Sequence, residues 1–542
     1  MKLPLALRYA IPAAIACGLL YFLAFAGVDI WPLAFVAFVP LIIAIEGQTP
    51  KRALWLGVLA GGTMNLAGFY WLVSMLRTFS GFPTFLCLFF ASIVCAYQGG
   101  RIGLMTWLAT RARDRNWPRA PILLATFAAS ELLYPLLFPW YFAATVHNIP
   151  ALTQSADLGG PILVGVMLLG VNLAISEFVF ARLKSEAPNR RVIQGGLAGL
   201  VVALIYGGIR IHGVDAKCAQ AEQVRVGIVQ ANMALMAKRE DPSEGLRRHQ
   251  RLTADLKKRG VDFVVWSESS VTFSVPEKQA SNFMHDNVAG HAQIPLVFGA
   301  VLYRRDPDRT RYFNTALSTD DRGRMTARYD KHYLLAFGEY LPFGDTFPIL
   351  YEWSPNSGKF STGDTLDPLL VQTATGNHKI TVLICYEDIL PGFTRSAVNH
   401  ADPELLVNMT NDAWFGDTLE PWQHLALAQF RAIEHRRYLV RGTNSGVSAV
   451  VDPVGRVIAK SHPFQSEALD ASVRWLHATT LYEITGDFPW YLLTVGAIAA
   501  AFVRRKNGSK NDPPAKPKVP EPEVEASDEK DSTPDSKPDS KP

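Results

Sequence analysis

The sequence predicts a layered α/β domain set among the helices of an eight-span membrane region. Three observations carry that prediction. Residues 1 to about 211 hold a series of helix-length apolar stretches, and one more follows near 488–503. From Val224 the pattern changes to short strands alternating with amphipathic helices. Within this second region three strand-like runs each lead into a chemically active residue: Glu268, Lys331 and Cys385.

A chain of 542 residues exceeds what one hydrophobic core usually absorbs, so at least two structural units are expected. The hydrophobic fraction of 49% is ordinary, but it is concentrated in the first half. The formal charge of +4 is small, and the basic residues of that half sit in short clusters between apolar runs. They act as topology signals, and no nucleic-acid surface is expected. Of the five cysteines, Cys17, Cys87 and Cys95 lie in apolar runs, leaving Cys218 and Cys385 in the polar region. Their spacing fits no disulfide scaffold and no metal cluster, and a bridge between the last two would consume the best nucleophile.

Taken in order, the apolar stretches fall at 9–27, 31–46, 53–76, 82–106, 120–137, 160–181, 194–211 and 488–503. The second is short and carries Pro32 and Pro40. The first is too long, and too closely followed by apolar sequence, for a cleaved signal peptide. Lys2 and Arg8, Lys51 and Arg52, the arginines 111, 113, 115 and 119, the cluster 182–191, and finally Arg504, Arg505 and Lys506 mark alternate connections. The positive-inside rule then puts both termini in the cytoplasm and residues 212–483 outside. The expected organisation is a membrane domain at 1–211, an exported domain at 212–483, an eighth span at 484–506 and a tail at 507–542. That tail is rich in Pro, Asp, Glu, Lys and Ser, has too little apolar surface to fold, and is expected to be disordered.

Two places in the membrane region break the apolar pattern. Glu131 opens a segment whose prolines interrupt a helix and which ends near Trp140 and Tyr141, with His147 and Asn148 beyond. It reads either as an interfacial segment or as a simple aromatic belt at the headgroup layer. Asn65 is a polar intrusion on the third stretch, with helix packing as its plain role.

In the exported region, 224–230 alternates as a strand, 243–259 has helical spacing, and 261–266 is a buried strand that delivers Glu268. Strands follow at 294–300 and 312–317, and the turn at 320–324 leads to the strand that delivers Lys331. Thr381-Val382-Leu383-Ile384 runs straight into Cys385, placing a thiol where a buried strand meets a loop. A helix at 420–437 and a strand at 447–451 complete a layered α/β sandwich, with no GxGxxG or P-loop.

One cysteine, one carboxylate and one ammonium brought to one sheet edge make an acyl-transfer site. Cysteine is the nucleophile, Glu268 can take its proton and return it to a leaving group, and Lys331 can balance an oxyanion. Singly, each residue has a plain structural reading: a buried free thiol, a paired carboxylate, a surface lysine.

The Glu in Val-Val-Trp-Ser-Glu-Ser-Ser, the Lys in Tyr-Asp-Lys-His-Tyr-Leu-Leu-Ala-Phe-Gly-Glu-Tyr-Leu-Pro-Phe and the Cys in Ile-Cys-Tyr-Glu together resemble the Glu-Lys-Cys triad of the nitrilase (carbon–nitrogen hydrolase) superfamily. With the apolar stretches, residues 1 to about 503 resemble its membrane-embedded members that N-acylate bacterial lipoproteins. The resemblance implies a nitrilase-like four-layer αββα sandwich between transmembrane helices. It implies Glu268 as general base, Lys331 as oxyanion stabiliser and Cys385 as nucleophile. Glu339 matches a second, orienting glutamate, and Glu387 matches a glutamate near the site, where anchoring the elbow is an equal alternative. Tyr386 is grouped with these as a supporting residue. Trp414 and Phe415, in Asn-Asp-Ala-Trp-Phe-Gly, match a loop at the substrate entrance, although packing under a loop explains them nearly as well.

The implied reaction moves a fatty acyl chain from a phospholipid donor, commonly phosphatidylethanolamine at sn-1, to a thioester and then to a diacylated apolipoprotein acceptor. No metal and no soluble cofactor is implied. The implied location is the bacterial inner membrane, with the catalytic domain in the periplasm. One departure is the lack of an arginine soon after Glu131, which leaves a headgroup contact there without its cation. The triad alone does not separate this reaction from a membrane-tethered amidase whose acyl-enzyme is resolved by water. A third reading, a transporter or sensor whose outer domain only binds lipid, is opposed by the joint presence of the three residues.

Overall fold

The computed structural model describes residues 3–233, 241–307, 309–354 and 357–505. Lys2, Lys506 and the tail at 507–542 lie outside the described residues. Apolar segments that must satisfy their own backbone groups become helices, and most of the first 220 residues do so. The helices are α1 (Leu7–Leu23), α2 (Val39–Ile45), α3 (Pro50–Gly68), α4 (Leu72–Ser80), α5 (Thr84–Arg113), α6 (Arg119–Leu133), α7 (Ala156–Lys184) and α8 (Arg190–Gln220). Among the described residues, α5, α7 and α8 are long and apolar enough to cross a membrane, and α3 with α4 makes a fourth if that bent pair is one span. Shorter apolar helices cover Leu7–Leu23, Trp31–Ile45 and Phe488–Phe502. Helix α8 runs on to Gln220, so the expected domain boundary at 211 falls inside a helix.

Small residues let α3 and α5 touch. A Cβ on Gly61 would sit 2.6 Å from the Gly99 carbonyl oxygen, so neither helix tolerates a side chain there. Helix α3 does not continue into α4 but bends by 67° near Trp71, whose indole donates to Gln423 Oε1 at 3.1 Å.

The segment after Glu131 turns inward at Trp140 and packs against the end of α1. Trp140 is 2% exposed and stacks on Phe25 at 4.1 Å. Glu131 is paired by an arginine of another helix: Arg101 of α5 meets it at 3.0 Å and donates to the Trp140 carbonyl at 2.8 Å. Asn65 has a comparable tying role. Its Oδ1 accepts from Gln98, which in turn accepts from the Phe138 amide.

From residue 223 the chain builds two mixed sheets. The first contains β1 (Gln223–Gln230), β2 (Phe263–Val265), β3 (Val271–Pro276), β4 (Leu296–Arg305), β5 (Thr310–Thr319), β6 (Met325–Asp330) and β13 (Glu467–Arg474). Its order is β13-β1-β2-β4-β5-β6, with β3 also on β4. The second contains β7 (Leu369–Thr373), β8 (Gly376–Ile384), β9 (Leu405–Thr410), β10 (Leu439–Thr443), β11 (Ala449–Val451) and β12 (Val457–Lys460), in the order β12-β11-β10-β9-β8-β7. Each sheet has a parallel centre, β1-β2-β4 in one and β8-β9-β10 in the other. Parallel neighbours need crossovers. These are α9 (Pro242–Lys258) between β1 and β2, α10 (Pro391–Ala401) between β8 and β9, and α11 (Glu420–His435) between β9 and β10.

Three apolar clusters hold this half together. One joins the facing sheets, with Val226, Phe263 and Val265 from the first and Val382, Val407 and Val440 from the second. Another places Leu256 of α9 on the outer face of the first sheet. The third places Val398 of α10 and Ala428 of α11 on the second. Helix α11 is buried along its whole length except at Trp422, because its other side packs into the cluster of the apolar helices through Ala426, Leu427, Phe430 and Ile433. Helix α12 (Phe488–Phe502) then returns to pack on α6 and α5.

Candidate active site

Glu268, Lys331 and Cys385 follow β2, β6 and β8, and the ends of these strands bring all three onto one cavity of about 380 Å³. They are 7%, 1% and 6% exposed. Cys385 stands at φ +53°, a conformation that non-glycine residues seldom adopt, and it opens a short 3₁₀ turn to Ile389. The sharp turn lifts the thiol off the strand and into the cavity.

Lys331 Nζ lies 2.8 Å from Glu339 Oε2 and 3.6 Å from Glu268 Oε1. Asn314 of β5 spans the same two carboxylates, its Nδ2 donating to Glu268 Oε1 and to Glu339 Oε1 at 2.7 Å each. Burial opposes the charge on Lys331, but the carboxylates of Glu339 and Glu268 outweigh it and hold the ammonium protonated. Burial, reinforced by the Glu268 charge, pushes the Cys385 thiol well up, against the pull of Lys331 and the Thr410 hydroxyl. Cys385 therefore rests as a thiol that would need a base to act as a nucleophile, and Glu268 lines the same cavity.

Glu387 binds structure on every side. It accepts from the amides of Ile384 at 2.7 Å, His332 at 2.7 Å and Tyr333 at 3.1 Å, and from the Tyr329 hydroxyl at 2.9 Å. It thereby joins the cysteine turn to the lysine loop. Burial raises its carboxyl to about 7, with the Lys331 charge and these amides opposing. The Tyr386 hydroxyl donates to the Leu137 carbonyl at 2.8 Å, tying the same turn to the segment after α6. Trp414 lines the cavity and stacks on Phe79 of α4 at 4.6 Å, while Phe415 is buried against Trp71. Phe415, Trp71, Phe69, Phe138 and Tyr386 enclose a narrow apolar slot, and Cys385 and Leu335 border both slot and cavity.

Sequence reasoning passed over Asn314, Thr78 and Phe79, and a buried ionic cluster behind Cys385. In that cluster Arg441 donates to Asp388, Asp412 and Asn408, and Asn408 donates to the carbonyls of Leu383 and Cys385. His424 Nε2 lies 2.8 Å from Asp388, while its Nδ1 faces Asp412 at 3.4 Å and Glu420 at 3.6 Å. Asp412, Glu420 and His424 could converge on a metal ion by distance. Against burial and the Arg441 charge, the aspartates lift His424 to about 10. As it stands the cluster is an ion-pair network, with Arg441 and His424 set against Asp388 and Asp412. All five cysteines are free, so Cys218 and Cys385 are not bridged.

Residues 225–475 match the carbon-nitrogen hydrolase family, and residues 17–174 match the apolipoprotein N-acyltransferase N-terminal domain. The apolipoprotein N-acyltransferase of Geobacter metallireducens is 28% identical over 91% of this chain and 95% of its own length. That of Pseudomonas putida is 30% identical over 86% of this chain and 92% of its own. Among solved structures, an amidase from Nesterenkonia sp. is similar to 46% of this chain over 90% of its own, at 19% identity and a TM-score of 0.34. By its near full-length likeness to these curated relatives, the chain belongs to the apolipoprotein N-acyltransferase family.

Proposed function

We propose that this chain moves a fatty acyl group from a glycerophospholipid, through a thioester on Cys385, to the α-amine of the diacylglyceryl-cysteine that begins a lipoprotein. The observation that carries this reading is the position of Cys385, between the cavity that holds Glu268 and Lys331 and an aromatic slot walled by the α3–α4 bend, the segment after α6 and helix α11. The aromatic wall beside Cys385 marks the direction in which an acyl chain longer than a small amide's would extend.

In the first half-reaction Glu268 takes the thiol proton as sulfur attacks the ester carbonyl. The Lys331 ammonium balances the oxyanion, the carbon–oxygen bond to the glycerol breaks, and Glu268 returns the proton to the departing alkoxide. In the second, the lipoprotein amine attacks the thioester, Glu268 accepts its proton, the carbon–sulfur bond breaks, and Cys385 recovers a proton. Glu339 and Asn314 orient Lys331 and Glu268, and Glu387 fixes the turn that carries the nucleophile. Trp414 and Phe415 line the acyl chain's way in.

The three apolar clusters support a four-layer αββα sandwich. The apolar helices and the basic clusters between them support eight spans, cytoplasmic termini and a periplasmic catalytic domain in the inner membrane. Exposed Phe337, Phe343, Phe347, Ile349 and Trp353, close in sequence to Glu339, suit contact with lipid. Phospholipid and diacylated apolipoprotein are then the partners.

The test is intact mass spectrometry of the protein with phosphatidylethanolamine, before and after a diacylated lipopeptide. A fatty-acyl increment that is absent in Cys385→Ser and is lost to the lipopeptide is expected. An increment that decays equally fast without lipopeptide would mean a hydrolase, and no increment on folded protein would end the acyl-enzyme reading.

A further inference from the structure

Helix α11 separates two cavities. Its residues 420, 423, 424 and 427 face the aromatic slot beside Cys385, whereas 422, 425 and 429 face a second cavity of about 470 Å³. At 3.6 residues per turn these sets lie on opposite sides of the helix. The second cavity shares no lining residue with the slot or the catalytic cavity. Its other walls are the loop after α1, the loop before α7 and the β11–β12 hairpin.

The polar groups there are held in place. Asp29 accepts from the Gly27 amide at 3.1 Å and from Asn148 at 3.2 Å, and lies 3.0 Å from His147 Nε2. The other nitrogen of His147 lies 2.7 Å from Gln429 Oε1, and Gln429 donates to the Gly455 carbonyl at 2.8 Å. One chain of hydrogen bonds thus crosses all three walls. The Asp29 side chain nevertheless stays 43% exposed. Burial opposes its charge, yet the bonds from His147 and Gly27 and the nearby Lys460 keep its carboxyl below the usual range.

Lys460 is exposed, stands 5.1 Å over the Trp422 ring, and has no carboxylate within 4.0 Å among the described residues. The cavity therefore offers a fixed anion and, in Lys460, a cation outside any ion pair among the described residues, while Arg456 on the same lining is paired with Asp215 and Asp452. Ile30 and Trp31, next to Asp29, and Ile458, two residues before Lys460, are exposed apolar side chains. A ligand with an ammonium, an anionic phosphodiester and an apolar anchor fits all three features.

We infer that this cavity is a second phospholipid site, taking the zwitterionic headgroup of an amine-bearing glycerophospholipid with its ammonium on Asp29 and its phosphodiester on Lys460. The inference rests on the reading of the apolar helices as membrane spans. It does not rest on the chemistry at Cys385, which lies across α11.

The test uses full-length protein carrying Cys385→Ser, so that no lipid is consumed, and counts retained lipids by native mass spectrometry in mild detergent. Phosphatidylethanolamine and phosphatidylglycerol are supplied in turn. Lys460→Ala is expected to weaken retention of phosphatidylethanolamine at least tenfold. Asp29→Asn, which suits the φ of +61° at that position, is expected to abolish the preference for phosphatidylethanolamine over phosphatidylglycerol. Equal retention and equal preference in all three proteins would overturn the site. Displacement of the lipid by millimolar glycerophosphoethanolamine would overturn the lipid assignment in favour of a soluble phosphodiester. Lys460→Ala made with Cys385 intact reports separately on the catalytic reading: an acyl increment there shows a folded enzyme, and its absence in the parent would sink that reading while leaving the binding counts standing.

Discussion

Lys331 sits closer to Glu339 than to Glu268, 2.8 Å against 3.6 Å. The distances divide the labour between two carboxylates that would otherwise be equivalent. In the proposed reaction Glu339 would neutralise the ammonium, leaving Glu268, at the longer distance, to serve as the base. Glu339→Gln keeps the shape but removes that charge, so Lys331 should close onto Glu268 and weaken it as a base. Single-turnover acylation followed by intact mass is expected to slow by roughly 10²-fold or more, the scale of general-base catalysis. An unchanged rate would mean that Glu339 does not set the state of Lys331.

The ionic cluster behind Cys385 gives a pH prediction. His424 is lifted from 6.5 to about 10 in the folded protein, so it binds a proton more tightly folded than unfolded. Its contribution to stability is fully present below pH 6.5 and is lost as pH rises through about 10. Melting temperature in detergent should therefore fall between pH 7 and pH 10, and His424→Gln should flatten that fall while lowering stability at pH 7. A parallel pH profile in the variant would show that another group is responsible.

The parts legible in the sequence were those set by local pattern. Short buried strands bounded by polar residues marked where Glu268, Lys331 and Cys385 emerge, because a strand that runs from core to loop leaves its last side chain at a sheet edge. Asn314 carried no such mark. It stands inside Tyr-Phe-Asn-Thr-Ala-Leu, and only the pairing of β5 with β4 and β6 brings it under the two carboxylates. Glu387 was open between a place in the site and a structural anchor. The His332 and Tyr333 amides that fill its oxygens lie more than 50 positions away, so no local pattern could have shown them. Arg441 and His424 escaped for the same reason, since their partners come from different strands and helices. The bend between α3 and α4 depends on Trp71 meeting Gln423 and Phe415, contacts that an apolar run does not encode.

Arg101 and Glu131 test the apolar half. Both are buried, and Glu131 also accepts from the Phe142 amide at 2.9 Å, so the pair fixes the inward turn after α6. Glu131→Gln leaves an arginine with no counter-charge inside apolar packing, which costs about 3–5 kcal/mol when one partner of a buried pair is removed. Thermal unfolding in detergent should drop by many degrees. Replacing both residues, with Arg101→Met and Glu131→Gln, should recover much of the loss. A double variant no better than the single one would mean that the turn, and not the charge balance, is what Glu131 supplies.

Phe79 belongs to α4 and Trp414 to the loop after β9, yet their rings stack at 4.6 Å and 15° on the wall of the cavity that holds Cys385. This contact is where α4 reaches that cavity. If it shapes the path of the acyl chain, Phe79→Ala and Trp414→Ala should each raise the phospholipid concentration needed for half-maximal acylation several-fold, with less effect on the limiting rate. The two changes should not add, because either one removes the same stack. A double-mutant cycle on kcat/KM is expected to give a coupling of about 0.5–1.5 kcal/mol, the worth of an aromatic pair beyond its buried area. Strict additivity would make the two rings independent packing residues. The coupling should also disappear with a short-chain thioester donor, whose acyl group ends before it reaches the rings, and its persistence there would place the stack in support of the loop instead of in contact with lipid.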